Sequence, residues 1–346
     1  WLVRILMLNN ATLFKSLVGS VFSQAAYLDD NMADWQRVLS LSENASTEYL
    51  TSTIYYHTAY LVTAENHSFV IYENHVPVAI WPLTLYKRGN IVTLQSGCKN
   101  IIPPLFVKGT SKKIIKKIYQ QCFQLLKSFS LNSQNNIALS YSPIDDILWQ
   151  RTFSSVIKEI NYQQYLIADI SGQITDIKKT FRKSYRSLIN KGEKLWNVQL
   201  HTTMSDDLLN QFRAFHIKTS GKDTRPLTTW KIQQAMVNDD EAFCITLHDK
   251  DDYLVGIALF NLSPLQASYS VGVYERSLFD LPLGHVIQFK AIEYMKALGI
   301  TRYFLGNRHH LFEKNTPTEK ENFIGFFKEG FSNSIYIEAN ACLIFG

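Results

Sequence analysis

Residues Ile174–Lys194 read ITDIKKTFRKSYRSLINKGEK, and the rest of the chain can be ordered around them. Ile177, Phe181, Tyr185, Leu188 and Ile189 recur at helical spacing, which predicts one amphipathic helix with an apolar stripe. Lys179, Arg182, Lys183 and Arg186 fall at i, i+3, i+4 and i+7, giving a second, uniformly basic face. Asp176 stands in the first turn, where the helix dipole favours an anion. Gly192 stands where a C-capping glycine would end the segment. Like charges one turn apart destabilise an isolated helix by a few tenths of a kcal/mol each. Either solvation offsets that, as on an ordinary wet face, or the face lines a cleft holding the phosphates or carboxylates of a ligand.

A chain of 346 residues is long for a single core, so two domains are expected. The 46% hydrophobic and 19% charged residues are those of a folded, water-soluble protein, not of a disordered one. A net charge of +5 suits an anionic ligand but is too small for a protein that coats nucleic acid, so no DNA partner is expected. Cys98, Cys122, Cys244 and Cys342 form no Cys-x-x-Cys and no Cys/His pair at metal-ligand spacing. Three of the four lie inside apolar runs as small buried hydrophobes, which points to a reducing compartment, hence the cytoplasm, and no metal is expected. No apolar run reaches 18 residues, so no transmembrane segment is expected. Trp1 is not Met, so the sequence is expected to be a fragment or to start upstream of the initiator, for which Met7 is a candidate. Leu13–Ala26 is short and interrupted by Lys15, which favours an amphipathic leading helix over a secretion signal.

Residues 1–33 form the expected leader, 34–172 a first domain and 173–346 a second. In the first domain, helices are expected over Asp34–Ser42 and Thr47–Leu61. A hairpin follows over His67–Tyr72 and Val76–Leu85, turning at Glu73-Asn74-His75. Asn90–Gln95 is a third strand. Ser111 caps a helix reaching Ser128, with Lys112, Lys113, Lys116 and Lys117 near its start. Ile137–Tyr141 reads as a strand, Ile147–Ile160 as a helix and Tyr165–Ile170 as a strand. After the basic helix come a strand Trp196–His201, a helix Asp206–Thr219, a polar loop Ser220–Arg225 and a helix opened by Pro226. Strands Ala242–His248, Tyr253–Leu262 and Gln266–Tyr274 form a meander. A helix His285–Leu298 capped by Gly299, a strand Ile300–Gly306, a helix Thr318–Lys328 and closing strands over Ser334–Phe345 complete the chain. The fold class is α/β, with mixed α+β sheets, and the order of elements repeats once.

Three segments stand out: FRKSYRSLINKGEK with a strand following at Val198; FHIKTSGKDTRPLTTW, Phe215–Trp230; and LPLGHVIQFKAIEYMKALGITRYFLGN, Leu281–Asn307. FIGFFKEGF, Phe323–Phe331, supports them. Their order and spacing resemble the GNAT (acyl-CoA N-acyltransferase) fold present twice. The tandem form resembles the FemAB-like family, which includes peptidoglycan-bridge aminoacyl transferases and related N-acyltransferases. The resemblance covers about residues 35–345 and implies two tandem GNAT-like domains, each a mostly antiparallel central sheet flanked by helices. The pyrophosphate loop usual in simple GNAT enzymes, a Gln or Arg followed by spaced glycines, is absent. Only Gly284 precedes the helix at His285, whose N-terminus could still bind donor phosphates.

The resemblance implies attack of an amine on an activated acyl group. That chemistry needs an anion-binding patch, donors for the developing oxyanion and a group to take the amine proton. His285, at a helix start that favours neutral imidazole, is the first candidate for proton transfer, against the reading of a histidine that caps its helix. Tyr269 and Ser270 lie on the strand before it, which in GNAT-like folds faces the acyl carbon. Tyr269 is a candidate acid or positioning group, or a core aromatic. His216, Lys222, Asp223, Thr224 and Arg225 gather around one polar loop as an acceptor clamp or an ordinary solvated connection. Trp230 could stack on a sugar or base, or be buried. Asn307, Arg308, His309 and His310 follow a strand end, where α/β ligand sites form. Arg182 and Arg186 complete the substrate-binding set, and Gly284 with His285 the donor-binding one.

The leading expectation is a cytoplasmic N-acyltransferase. Its donor would be acyl-CoA as co-substrate, and its acceptor an anionic cell-surface polysaccharide or cell-wall precursor, above all a nucleotide-linked amino sugar. The alternatives are an aminoacyl-tRNA-dependent peptidoglycan-bridge transferase and a non-catalytic carbohydrate-binding or scaffolding protein. No heptad insertion of the kind that forms the long arm of the staphylococcal bridge enzymes is present, which weighs against the tRNA donor.

Overall fold

The computed structural model describes residues 2–88, 91–133, 136–310 and 316–345. The chain divides into two units, Trp1–Gln163 with Ile337–Gly346, and Gln164–Tyr336. The expected boundary at 172/173 therefore lies further along the chain than the observed one, and the last ten residues return to the first unit.

The first unit opens with α1 (Leu2–Val21), followed by β1 (Ala25–Tyr27), α2 (Met32–Ser40), α3 (Thr51–Tyr60) and β2 (Ala64–Asn66). Phe14 and Val18 of the first helix, with Phe22 just beyond its end, are buried in the unit's core. The hairpin β3 (Phe69–Glu73) and β4 (Val76–Trp81) turns at Asn74 and His75, with φ of +51° and +64°. Two consecutive positive φ values match the right-handed strand twist, which explains the short polar turn. Pro82 supplies no N–H, and the expected single strand divides there into β4 and β5 (Thr84–Arg88). These join different sheets, ordered β1-β3-β4-β7 and β2-β5-β6, where β6 is Ile91–Gln95 and β7 Leu105–Phe106. The expected start of β6, Asn90, lies outside the described residues.

Next come α4 (Lys112–Ser133), β8 (Ile137–Tyr141) and α5 (Ile147–Phe153). The helix expected to reach Ile160 stops at Phe153, and β9 (Ile157–Asp169) begins instead. Val156 O accepts from Ile344 N at 2.9 Å, so a strand-like bond to a remote segment replaces the helical one.

The second unit takes the end of β9, then α6 (Ile174–Thr180), α7 (Lys183–Leu195), β10 (Asn197–His201), α8 (Asp206–Ser220) and α9 (Leu227–Asn238). β11 (Ala242–His248), β12 (Leu254–Leu262), β13 (Gln266–Tyr274), α10 (Leu283–Ala297), β14 (Arg302–Arg308) and α11 (Glu319–Glu329) follow. Its strand order is β10-β11-β12-β13-β14-β9. Every neighbouring pair is antiparallel except β13 and β14. The last strand, β15 (Ser334–Leu343), pairs antiparallel with β8 through Ala339–Leu343. The fold class is as expected: mixed α/β, with mostly antiparallel sheets flanked by helices.

Two features of the central segment differ from the expected single helix. It breaks at Phe181 and Arg182, whose ψ values are 152° and 132°. Arg182 N donates to Gly330 O at 2.8 Å instead of to an earlier turn, and the break lets both Phe181 and Tyr185 reach the core. The basic side chains therefore do not form one continuous face. Gly192 is no cap but lies inside α7, where α10 comes closest. A Cβ there would stand 3.0 Å from both Pro282 O and Val286 Cβ.

Candidate active site

The second unit's sheet contains a fork. Parallel β13 and β14 pair only through Gln266↔Arg302, Ala267↔Tyr303 and Ser268↔Phe304. Beyond that, β13 runs on to Tyr274 and β14 to Arg308, with no register joining them. Two bulges flank the divergence. On β13, Val271 faces Leu259 and Tyr269 faces Phe260, which leaves Ser270 as the extra residue. On β14 the register against β9 shifts between Phe304 and Gly306, where φ is +122°. Bulges re-aim a strand and interrupt its ladder, so together they open a wedge between backbones that would otherwise be bonded.

Tyr269 and Lys328 meet at this fork. The Lys328 ammonium sits 5.2 Å from the centre of the Tyr269 ring. A Cβ on Gly306 would lie 2.6 Å from Lys328 Nζ, so the glycine makes space for the ammonium. No ion pair to Lys328 occurs among the described residues. Burial without a counter-charge pulls its pKa down from 10.5 to about 8. The Tyr269 hydroxyl lies 3.1 Å from that of Tyr274, and burial pushes its pKa up to about 12. Gly272 also leaves room, since a Cβ there would collide with the Tyr269 hydroxyl. On the other side of the bulge, Gln233 Nε2 of α9 donates to Ser270 Oγ at 3.3 Å.

Solved structures share this architecture. FemX matches with a TM-score of 0.65 at 12% identity, over 92% of this chain and 96% of that one. L-PGS from Bacillus licheniformis matches at 0.56 and 12%, over 89% and 90%. A tandem GNAT protein from the clavulanic acid biosynthesis pathway matches at 0.50 and 10%, over 92% and 98%. No protein-family model and no curated protein matches the chain. The fold is FemAB-like, of the tandem GNAT type. At these identities the likeness is one of fold, and function has to be argued from the site.

In this GNAT-type unit the residues singled out in the sequence fall into three places. Tyr269 and Ser270 are at the fork. His216 of α8, Arg225 of the following loop and Trp230 of α9 form a second cluster. The Arg225 guanidinium lies 3.7 Å from the Trp230 ring, and His216 meets the same ring edge-on at 5.3 Å. Trp230 is buried, its Nε1 without a hydrogen-bond partner among the described residues. Burial and the neighbouring Arg225 lower the pKa of His216. Asp223 is held by Arg213. Lys222 and Thr224 are exposed. Gln233, one turn after Trp230, links this cluster to Ser270.

The third place is the first turn of α10. His285 is enclosed by aromatic rings, with Tyr185 at 4.5 Å, Phe327 at 5.1 Å and Phe331 at 6.2 Å. Desolvation, helped by Arg182, lowers its pKa to about 4, so it is neutral at physiological pH. A Cβ on Gly284 would stand 2.9 Å from Phe327 Cζ. Arg182 belongs to this corner, donating to Tyr185 Oη at 3.0 Å and to Phe326 O at 3.1 Å. Arg186 is exposed and donates to Lys179 O at 3.1 Å. Arg308 pairs with Glu329 at 2.9 Å, and Asn307 precedes it on β14. No group of three potential metal ligands occurs among the described residues. No helix among them is long and apolar enough to cross a membrane.

Lys328, Gln233 and Gly306 were absent from the sequence-based set. A lysine in the otherwise aromatic run FIGFFKEGF was the available signal for the first.

Proposed function

We propose that the second unit is an N-acyltransferase that accepts an activated acyl group at the fork between β13 and β14. The observation that carries this reading is an uncompensated ammonium, Lys328, set beside Tyr269 where the two parallel strands part. The amine nitrogen of the acceptor attacks the donor's carbonyl carbon. The carbonyl oxygen takes the negative charge, and the Lys328 ammonium donates a hydrogen bond to it. The C–S or C–O bond then breaks, and the amide forms. Tyr269, whose hydroxyl is a weak acid here, gives a proton to the leaving group and is reprotonated from the amine through the Tyr274 pair. His285 acts as a positioning group, holding Phe327 and thereby the end of α11 that carries Lys328. The Arg225 guanidinium, held over the buried Trp230 ring beside His216, receives an anionic acceptor, with the exposed Lys222 and Thr224 at its rim.

Acyl-CoA with an amino-sugar acceptor is one donor–acceptor pair consistent with this arrangement. A second reading, an aminoacyl ester donor, is favoured by a separate observation. The first turn of α10 is packed by Phe327 at Gly284 and by α7 at Pro282, and it has no glycine loop in which to seat a diphosphate. The family resemblance allows either donor.

The test is a thermal-shift screen against acetyl-CoA, longer acyl-CoAs, and UDP- and dTDP-amino sugars, followed by transfer assays with aminoacyl-tRNA. A ligand at ~100 times its dissociation constant adds about 2.7 kcal/mol of stability. Stabilisation by an acyl-CoA identifies the donor. Stabilisation by nucleotide sugars alone, with transfer from aminoacyl-tRNA, selects the second reading. No shift and no turnover with any amine would return the chain to a non-catalytic binding role.

A further inference from the structure

Outside the fork, α11 presents an apolar face to solvent. Phe323 is 66% exposed, Phe326 60% and Ile324 43%. Gly325, on the helix's inner side, is buried, with its Cβ position 3.9 Å from Asn307 O of β14. Two phenylalanines one turn apart, with an isoleucine beside them, exceed the scattered apolar exposure that an ordinary surface carries. The face has a charged border. The Arg182 guanidinium lies 3.8 Å from the Phe326 ring, and Lys183 and Arg186 are exposed on the helix that starts there. The segment 174–194 to which they belong holds seven basic and two acidic residues, a net +5 that equals the net charge of the whole chain. Glu319 and Glu321 sit at the opposite, N-terminal end of α11, and Glu321 is occupied by the capping box with Thr318.

We propose that this face docks the protein on an anionic lipid surface, with Phe323, Ile324 and Phe326 entering the acyl–headgroup boundary. Arg182, Lys183 and Arg186 meet lipid phosphates. Protruding rings beside a concentrated basic border suit a bilayer, where apolar side chains insert and long cationic ones remain at headgroup level. Nucleic acid would use the charges but leave the isoleucine and the ring edges in water. A second copy of the chain would bring the same basic border against itself. The proposal stands apart from the acyl-transfer reading.

The experiment is co-sedimentation of the full chain at low salt with vesicles of equal parts phosphatidylglycerol and phosphatidylcholine, and with phosphatidylcholine alone. Binding is expected only to the anionic vesicles. It should weaken about tenfold in Phe323→Ser/Phe326→Ser and again in Lys183→Glu. All three side chains are exposed, so far-UV circular dichroism and the melting temperature should not change. A Phe326→Trp variant should shift its emission to the blue on adding anionic vesicles. Absence of binding, or binding that ignores both variants, overturns the proposal. So does a concentration-dependent dimer, or RNA retention, that is lost in the serine variant while vesicle binding is not.

Discussion

Lys328 carries opposite consequences for stability and for activity. Burial holds its pKa near 8, below the ordinary 10.5. The folded state therefore binds fewer protons than the unfolded one between about pH 8 and 10.5, and stability rises with pH across that window. Below pH 8 the buried charge costs the full amount, on the order of 3 kcal/mol. Lys328→Met is expected to raise the melting temperature at pH 7 while lowering kcat about a hundredfold, with KM little changed, as loss of an oxyanion donor does. The wild-type rate should fall as pH rises through about 8, because the ammonium donor is lost. A stabilised variant that retained its rate would remove Lys328 from the chemistry. Arg225→Ala at the other cluster should instead raise KM for an anionic acceptor and leave kcat nearly intact, checked by steady-state kinetics once the acceptor is known. None of this partition was legible in the sequence. Arg225 and Trp230 could be picked from a polar loop and its following helix, but Lys328 looks like any surface lysine until β14 and its Gly306 are set beneath it.

At the level of elements, local pattern accounts for most of the second unit. β11 and β13 have the expected bounds: β11 because a strand buried in a sheet shows its apolar run directly, and the mostly half-buried β13 because the turn at Ser263-Pro264 marks off its start. α10 and α11 are legible from apolar spacing and, for α11, from a Thr–Glu capping box. What escaped is whatever depends on a partner remote in sequence. The break between α6 and α7 is decided by Gly330, whose carbonyl takes the Arg182 N–H. The fork is decided by two register shifts that no single strand encodes. Gly330 offers a test of that account. A Cβ there would run into the Tyr185 ring, which is wedged among His285, Phe327 and Phe331. Gly330→Ala should destabilise the protein by roughly 2 kcal/mol through overpacking. It should also free Arg182, read out as faster amide exchange at Tyr185 and its neighbours in α7. An alanine variant with unchanged melting would show that Tyr185 can move aside cheaply, and that the corner does not fix the break.

For the molecule as a whole, the division into units makes a prediction that the linear order of the chain does not. Sequence alone assigns the closing strand to the second domain, since it follows that domain's last helix. Its side chains belong elsewhere. Ala339, Ala341, Leu343 and Phe345 are buried in the first unit's core with Trp81, Trp149 and Phe153. Ala339–Leu343 lies opposite Ile137–Tyr141 of β8, and Asn340 Oδ1 accepts from Asn100 Nδ2 at 2.8 Å and from Ser140 Oγ at 3.2 Å. Lys99, held by Glu48 at 2.8 Å, also reaches Glu338 at 3.6 Å. Truncation after Tyr336 would leave β8 without its antiparallel strand partner, open an apolar edge and remove Asn340 and Glu338 from that polar set. Loss of several buried apolar side chains at ~1.5–3 kcal/mol each approaches the whole stability of a domain. Hydrogen exchange on the truncated chain should therefore show protection lost in β8 and α4 but retained in β11, β12 and β13, whose core is built from residues 166–331. Equal loss of protection in both sets would mean that the two units fold as a single cooperative body. Retained protection in β8 would mean that the closing strand adds little to the first core.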